Sequence, residues 1–190
     1  MYKQPLFCVA ALNRLIHNRQ KSLLERANFL IIDGEENELQ VLQSLLYLCK
    51  AVWLIDHEDC EMIPEYFEIT WTGPQIAGVQ EVFPGYRWQK RWPKYYMESR
   101  PLTQEECDLI DKVSFVCSKM HSQFALFHYF DNKKELYSQT KSNGLRTITT
   151  NNMRLWLSNP KNRQMLVHFA LWGFREKEGI EKWANSWQPF

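Results

Sequence analysis

The sequence predicts an α-rich mixed α/β (α+β) domain, and three observations carry that expectation. Apolar residues recur at helical spacing near both ends of the chain. Two short unbroken apolar runs, Phe29–Ile32 and Val52–Ile55, each close on an aspartate. Between residues 64 and 101 the pattern breaks into turns. The expected order is an N-terminal helix, a small βαβ-like unit, a Pro-rich loop and strand insertion over 64–101, and two or three C-terminal helices. At 190 residues this is one domain, 1–190, large enough to be stable without a disulfide or metal staple.

Each element has a local reason. Over 6–27, Leu6, Val9, Leu12 and Ile16 repeat at three and four, and Leu23 and Leu24 continue the series. Glu35–Lys50 places Leu39, Leu42, Leu45, Leu46 and Cys49 on one side, with acids in the first turn. Flanked by the two apolar runs, it reads as strand–helix–strand, because strands covered on both faces are continuously apolar. A helical hairpin without any strand is the competing reading, since short apolar runs do not reveal their period.

Residues 64–101 hold five of the eight prolines and three of the seven glycines. Tyr66–Trp71 alternates, with Phe67, Ile69 and Trp71 on one face of an expected strand. Leu102–Glu106 is a capping box in which Thr103 and Glu106 satisfy each other's backbone; the helix that follows carries Ile110, Val113, Val116, Cys117, Met120, Phe124 and Phe127. The polar stretch 131–150 contains an Asn143-Gly144 turn signal. Asn159 then caps a last helix with Pro160 at its first position, Arg175 and Lys177 near its end and Gly179 as its stop.

Composition bounds function loosely. Net charge is +1, so overall balance predicts no polyanionic partner and any such case must be local. Five cysteines without a C-x-x-C pair argue for a reducing, cytoplasmic setting. The seven-residue apolar run at Leu6–Leu12 is short for a signal peptide, and a membrane span is not expected. Internal repeats, a P-loop, G-x-S-x-G and G-x-G-x-x-G are all absent. Aromatics reach 14% with eight tryptophans, more rings than a core of this size needs, and surplus rings belong on binding surfaces.

The strongest local signal is GYRWQKRWPKYYMESRP, residues 85–101. Arg87, Lys90, Arg91, Lys94 and Arg100 interleave with Tyr86, Trp88, Trp92, Tyr95 and Tyr96. Cations track a phosphate backbone while flat rings stack on bases, which is the chemistry of single-stranded DNA or RNA binding. Tyr86, Trp88, Trp92 and Tyr95 are the expected stacking residues. In the competing reading the rings pack inward, the basic stems snorkel outward, and the acidic block Asp56, Glu58, Asp59, Glu61, Glu65 and Glu68 neutralises the charge.

Two catalytic readings stand beside it. Asp33, Asp56 and Glu58 would converge at strand ends if the βαβ unit forms, offering hard oxygen ligands to Mg²⁺ for phosphodiester cleavage; ordinary turn and cap chemistry is the alternative. Arg163 and His168 form an R-x4-H pair on the last helix, and this resembles the signature of HEPN ribonucleases, small helical proteins. The resemblance covers six residues and implies metal-independent RNA cleavage, with Arg163 holding the phosphate and His168 shuttling protons in a dimer groove. Cys117 and His121 share a helical face at i, i+4, with His128 on a similar face, but their apolar neighbours read as core. A protein-interaction module, an inhibitor or adaptor with Trp and Tyr hot spots, is a third class.

Overall fold

The structure, a computed structural model, describes residues 7–25, 35–57, 59–79, 100–119, 126 and 129–171. The described elements are α1 (Val9–Glu25), α2 (Glu35–Asp56), β1 (Phe67–Ile69), β2 (Pro74–Gln75), α3 (Gln104–Lys119), α4 (Leu136–Ser142), β3 (Thr147–Ile148), α5 (Thr150–Leu157) and α6 (Pro160–Ala170). The fold is a helix-rich mixed α+β, as the sequence predicts. Its sheet is small and antiparallel, in the order β2-β1-β3. Glu68 faces Gln75 on one side and Thr147 on the other.

The centre of the molecule is α2. Every residue from Leu39 to Ile55 is buried, polar ones included. A helix covered on all sides reads as apolar all round, and α2 meets α1 and α3, β2, and α5 and α6. This corrects the βαβ expectation. Val52–Ile55 is the last turn of α2, not a strand, and Asp56 ends a helix. The apolar run there reflects burial by helices rather than by sheet neighbours; Phe29–Ile32 and Asp33 lie outside the described residues. By length and composition the Leu39–Asp56 stretch could cross a membrane, contrary to the sequence reading, yet 89% of it is buried inside this fold, as befits a core helix.

Polar groups on α2 fix what packs on it. Gln40 Oε1 accepts from Thr72 Oγ1 at 2.9 Å and Gln75 Nε2 at 2.6 Å, and Gln43 Oε1 accepts from the Ile76 amide at 2.7 Å. These bonds seat the β1–β2 hairpin on the helix. Phe67, Ile76 and Val79 join the core, so the start of the Pro-rich segment is structural rather than a loose insertion. Across α1 and α3, Arg14 forks onto Asp111 at 2.7 and 2.5 Å, and Asn18 adds a third donor at 2.8 Å.

The capping signals behave as the sequence indicates. Glu106 Oε2 accepts from the Thr103 amide at 2.8 Å while Thr103 Oγ1 accepts from the Glu106 amide at 3.2 Å. Asn159 caps α6 through the Lys161 amide with Pro160 in the first turn. A capping box the sequence reading missed joins Thr149 and Asn152 at α5. The polar stretch 131–150 is more structured than its composition suggests: it holds α4, the Asn143-Gly144 turn with Gly144 at φ 70°, and β3.

Candidate functional site

Of the basic aromatic arm, Tyr86, Arg87, Trp88, Lys90, Arg91, Trp92, Lys94, Tyr95 and Tyr96 lie outside the described residues. Arg100 is described, and it is engaged. Its guanidinium forks onto Glu106, with Nη1 to Oε2 at 2.8 Å and Nη2 to Oε1. The bond to Glu106 raises the Arg100 pKa. Burial pulls the Glu106 carboxyl upward, but the Arg100 and Thr103 donors win and hold it below its ordinary value. Arg100 thus completes the α3 capping box, and its partner is Glu106 rather than the 56–68 acidic block.

The proposed metal ligands fare differently. Asp33 and Glu58 lie outside the described residues. Asp56, at the end of α2, has His57 and Glu105 as its charged neighbours. Burial raises its carboxyl, His57 opposes the shift and Glu105 adds to it. His57 stacks on Trp53 with ring centroids 3.6 Å apart and planes 5° apart. Its Nδ1 lies 3.2 Å from the Trp53 carbonyl and its Nε2 3.3 Å from Glu105 Oε1. Among the described residues no group of three His, Cys, Asp or Glu side chains converges on a metal position. Arg163 and His168 are both half-buried on α6. Five residues apart on a helix, they point about 140° from one another.

The structure exposes a site that the sequence reading placed in the wrong direction. Trp71 does not share the inward face with Phe67. Thr70 starts a tight turn, its amide and its hydroxyl both donating to the Gly73 carbonyl at 3.3 and 2.8 Å, with Gly73 at φ 143°. The turn breaks the alternation and leaves Trp71 89% exposed. Behind it, Tyr137 on α4 donates its hydroxyl to the Thr70 carbonyl at 2.5 Å, anchoring the turn to the helix. One helical turn later Lys141 sets its ammonium 5.0 Å from the Trp71 ring centroid and 5.5 Å from that of Tyr137. The result is a bare indole with a cation at its face, held by a hairpin on one side and a helix on the other. The sequence cue was the turn signal Thr72-Gly73-Pro74, one residue after the tryptophan.

Two titratable groups are buried in the core, Glu135 at the start of α4 and Lys50 on α2. Glu135 caps α4 and is wholly buried. It accepts from Tyr47 Oη at 2.7 Å and the Tyr137 amide at 2.5 Å. Burial pushes its carboxyl up to about 7 despite those donors. Lys50, fully buried on α2, donates to the Glu65 carbonyl at 2.7 Å, and burial pulls it down to about 8 against the opposing pull of Glu61 and Glu65. No protein-family model, curated protein or solved structure matches the chain.

Proposed function

We propose that this protein binds single-stranded nucleic acid, RNA or DNA, with Trp71 as a stacking platform and Lys141 as its phosphate cation. The observation that carries the reading is the exposed Trp71 ring with the Lys141 ammonium 5.0 Å from its centroid. The pair supplies both halves of single-strand chemistry, a cation for phosphate and a flat ring, and stacking on an indole accepts any base. Tyr86, Arg87, Trp88, Lys90, Arg91, Trp92, Lys94 and Tyr95 would extend the same chemistry, whereas Arg100 is committed to Glu106. The reading carries a reducing, cytoplasmic setting with it, in keeping with five cysteines that form no C-x-x-C pair.

The test is a titration of a labelled single-stranded oligonucleotide at several salt concentrations. Trp71→Ala should weaken binding by roughly 5- to 160-fold, corresponding to about 1–3 kcal/mol for one stacked base. Lys141→Ala should lower the log–log salt slope by about 0.7, one phosphate contact on a single strand. Affinity indifferent to salt and to both substitutions overturns the proposal. The same mixtures run on a gel with and without EDTA read out the two nucleolytic alternatives: Mg²⁺-dependent cleavage would implicate Asp56 with Asp33 and Glu58, and metal-independent cleavage Arg163 and His168.

A protein-interaction module is the second reading, favoured by the exposure of Tyr66 and Leu155. It predicts a stoichiometric protein partner on copurification and no bound nucleic acid.

A further inference from the structure

A cleft of about 360 Å³ opens between α4, α5 and the start of α6. Five of its lining residues bear carboxamides, Gln139, Asn143, Asn152, Asn159 and Asn162, and its described lining holds no charged residue. The oxygen and nitrogen of four of these amides are assigned by backbone or hydroxyl partners. Asn152 Oδ1 accepts from the Thr149 amide at 3.0 Å and from Thr149 Oγ1 at 2.8 Å, and Asn159 Oδ1 accepts from the Lys161 amide at 3.0 Å. Both Nδ2 groups are left unspent among the described residues. The reverse holds for Asn162, whose Nδ2 donates to the Trp156 carbonyl at 2.9 Å, and for Gln139, whose Nε2 donates to the Lys134 carbonyl at 3.0 Å. Their oxygens are left over. Asn143 spends neither atom of its carboxamide on the described residues.

The cleft therefore offers unspent donors and acceptors together, with no charge, on a rim that also exposes Leu145 (56%) and Leu155 (75%). A ligand matched to it is neutral, has apolar faces to lie against leucine, and alternates donors and acceptors along an edge. A nucleobase has all three properties. The volume suits a small ligand and excludes a duplex. Gln139 and Thr140 lie on the two-turn helix that carries Lys141, about 160° and 100° round it from that side chain, so a strand stacked on Trp71 reaches the cleft by turning round α4.

We propose that this cleft receives one unstacked base of the bound strand and reads its edge, with adenine preferred. A free carboxamide, such as that of Asn143, pairs bidentately with adenine, its oxygen accepting from the N6 amino group and its nitrogen donating to N7, and a base lifted from the stack can be held between apolar side chains. The inference rests on the nucleic-acid reading above, and the experiment separates the two. Fluorescently labelled oligo(dA), oligo(dC) and oligo(dT) of equal length are titrated against the full chain and against Asn143→Ala and Leu155→Ala. Both side chains are exposed, and circular dichroism checks that each variant is folded. The expected result is oligo(dA) bound about tenfold more tightly than the others by the wild type, with the preference flattened by Asn143→Ala and affinity for oligo(dA) reduced by Leu155→Ala. If all three oligomers bind equally and still depend on Trp71, the cleft proposal falls and the stacking proposal stands. If no oligomer binds, both fall.

Discussion

Glu135 shows how one side chain can couple stability to pH in this fold. A carboxylate in a fully buried cap is favoured by its donors, Tyr47 and the α4 amides, and disfavoured by lost hydration; burial wins and places the group near 7. A carboxyl raised on folding holds its proton more tightly in the native than in the unfolded chain. It stabilises fully below its ordinary value of 4.5, and that contribution fades as pH rises through about 7. The span is worth roughly 3 kcal/mol at most. Glu135→Gln keeps an oxygen for the cap and cannot ionise. We expect the variant to match the wild type in urea unfolding at pH 5 and to be the more stable of the two at pH 8. Equal stability at both pH values would show that Glu135 titrates as an ordinary glutamate. Tyr129, whose buried hydroxyl has no hydrogen-bond partner among the described residues, shares this environment, and burial followed by the nearby Glu135 charge raises its pKa.

Among the elements, the β1–β2 hairpin is the joint between core and candidate site, and Gly73 is its narrowest point. A Cβ there would stand 2.5 Å from Gln40 Nε2, at a φ of 143° that L residues rarely adopt. Gly73→Ala should cost about 1–3 kcal/mol in chemical denaturation, and it should weaken oligonucleotide binding by displacing Trp71. The α1–α3 contact is a milder case. Partial burial pulls the Asp111 carboxyl upward, but Arg14 and Asn18 hold it below its ordinary value. Both partners remain more than a third exposed, so Asp111→Ala should cost only about 1 kcal/mol in the same assay. At this scale the sequence is legible wherever a signal is local. The capping box at Thr103, the Asn159 cap with Pro160, and the strand at Phe67–Ile69 all follow from neighbours within four positions. Val52–Ile55 misleads because an apolar run reports burial, and what does the burying is far away in the chain. Trp71 misleads for the opposite reason: strict alternation continued through a turn that Thr70 and Gly73 had already begun. Lys141 was invisible as a partner because it lies 70 residues from the ring it faces, in a stretch whose composition reads as loop.

The molecule as a whole is organised around α2, and this makes its unfolding a single event. Leu42, Leu46 and Cys49 lie in one continuous core that also contains Leu12 of α1, Val113 of α3, Met153 of α5 and Leu166 of α6. The long helices α1 and α3 also pack on each other, but the sheet, with strands of only two or three residues, and α4 and α5, only two turns long, cannot bury their apolar faces without that central helix. Loosening α2 should therefore loosen everything at once. Leu46→Ala removes a fully buried side chain from its middle, and a cavity of that kind costs about 2–5 kcal/mol. For a chain of this size that lowers Tm by roughly 4–20 °C. Far-ultraviolet circular dichroism, which follows the helices, and near-ultraviolet dichroism, which follows the buried rings Tyr47, Phe67 and Phe130 around α2, should shift together and by the same amount. Two separated transitions would mean that the hairpin bearing Trp71 folds apart from the helical core. In that case the platform would be free to move against α4, and the Trp71–Lys141 geometry could not be the preformed surface on which the binding proposal depends.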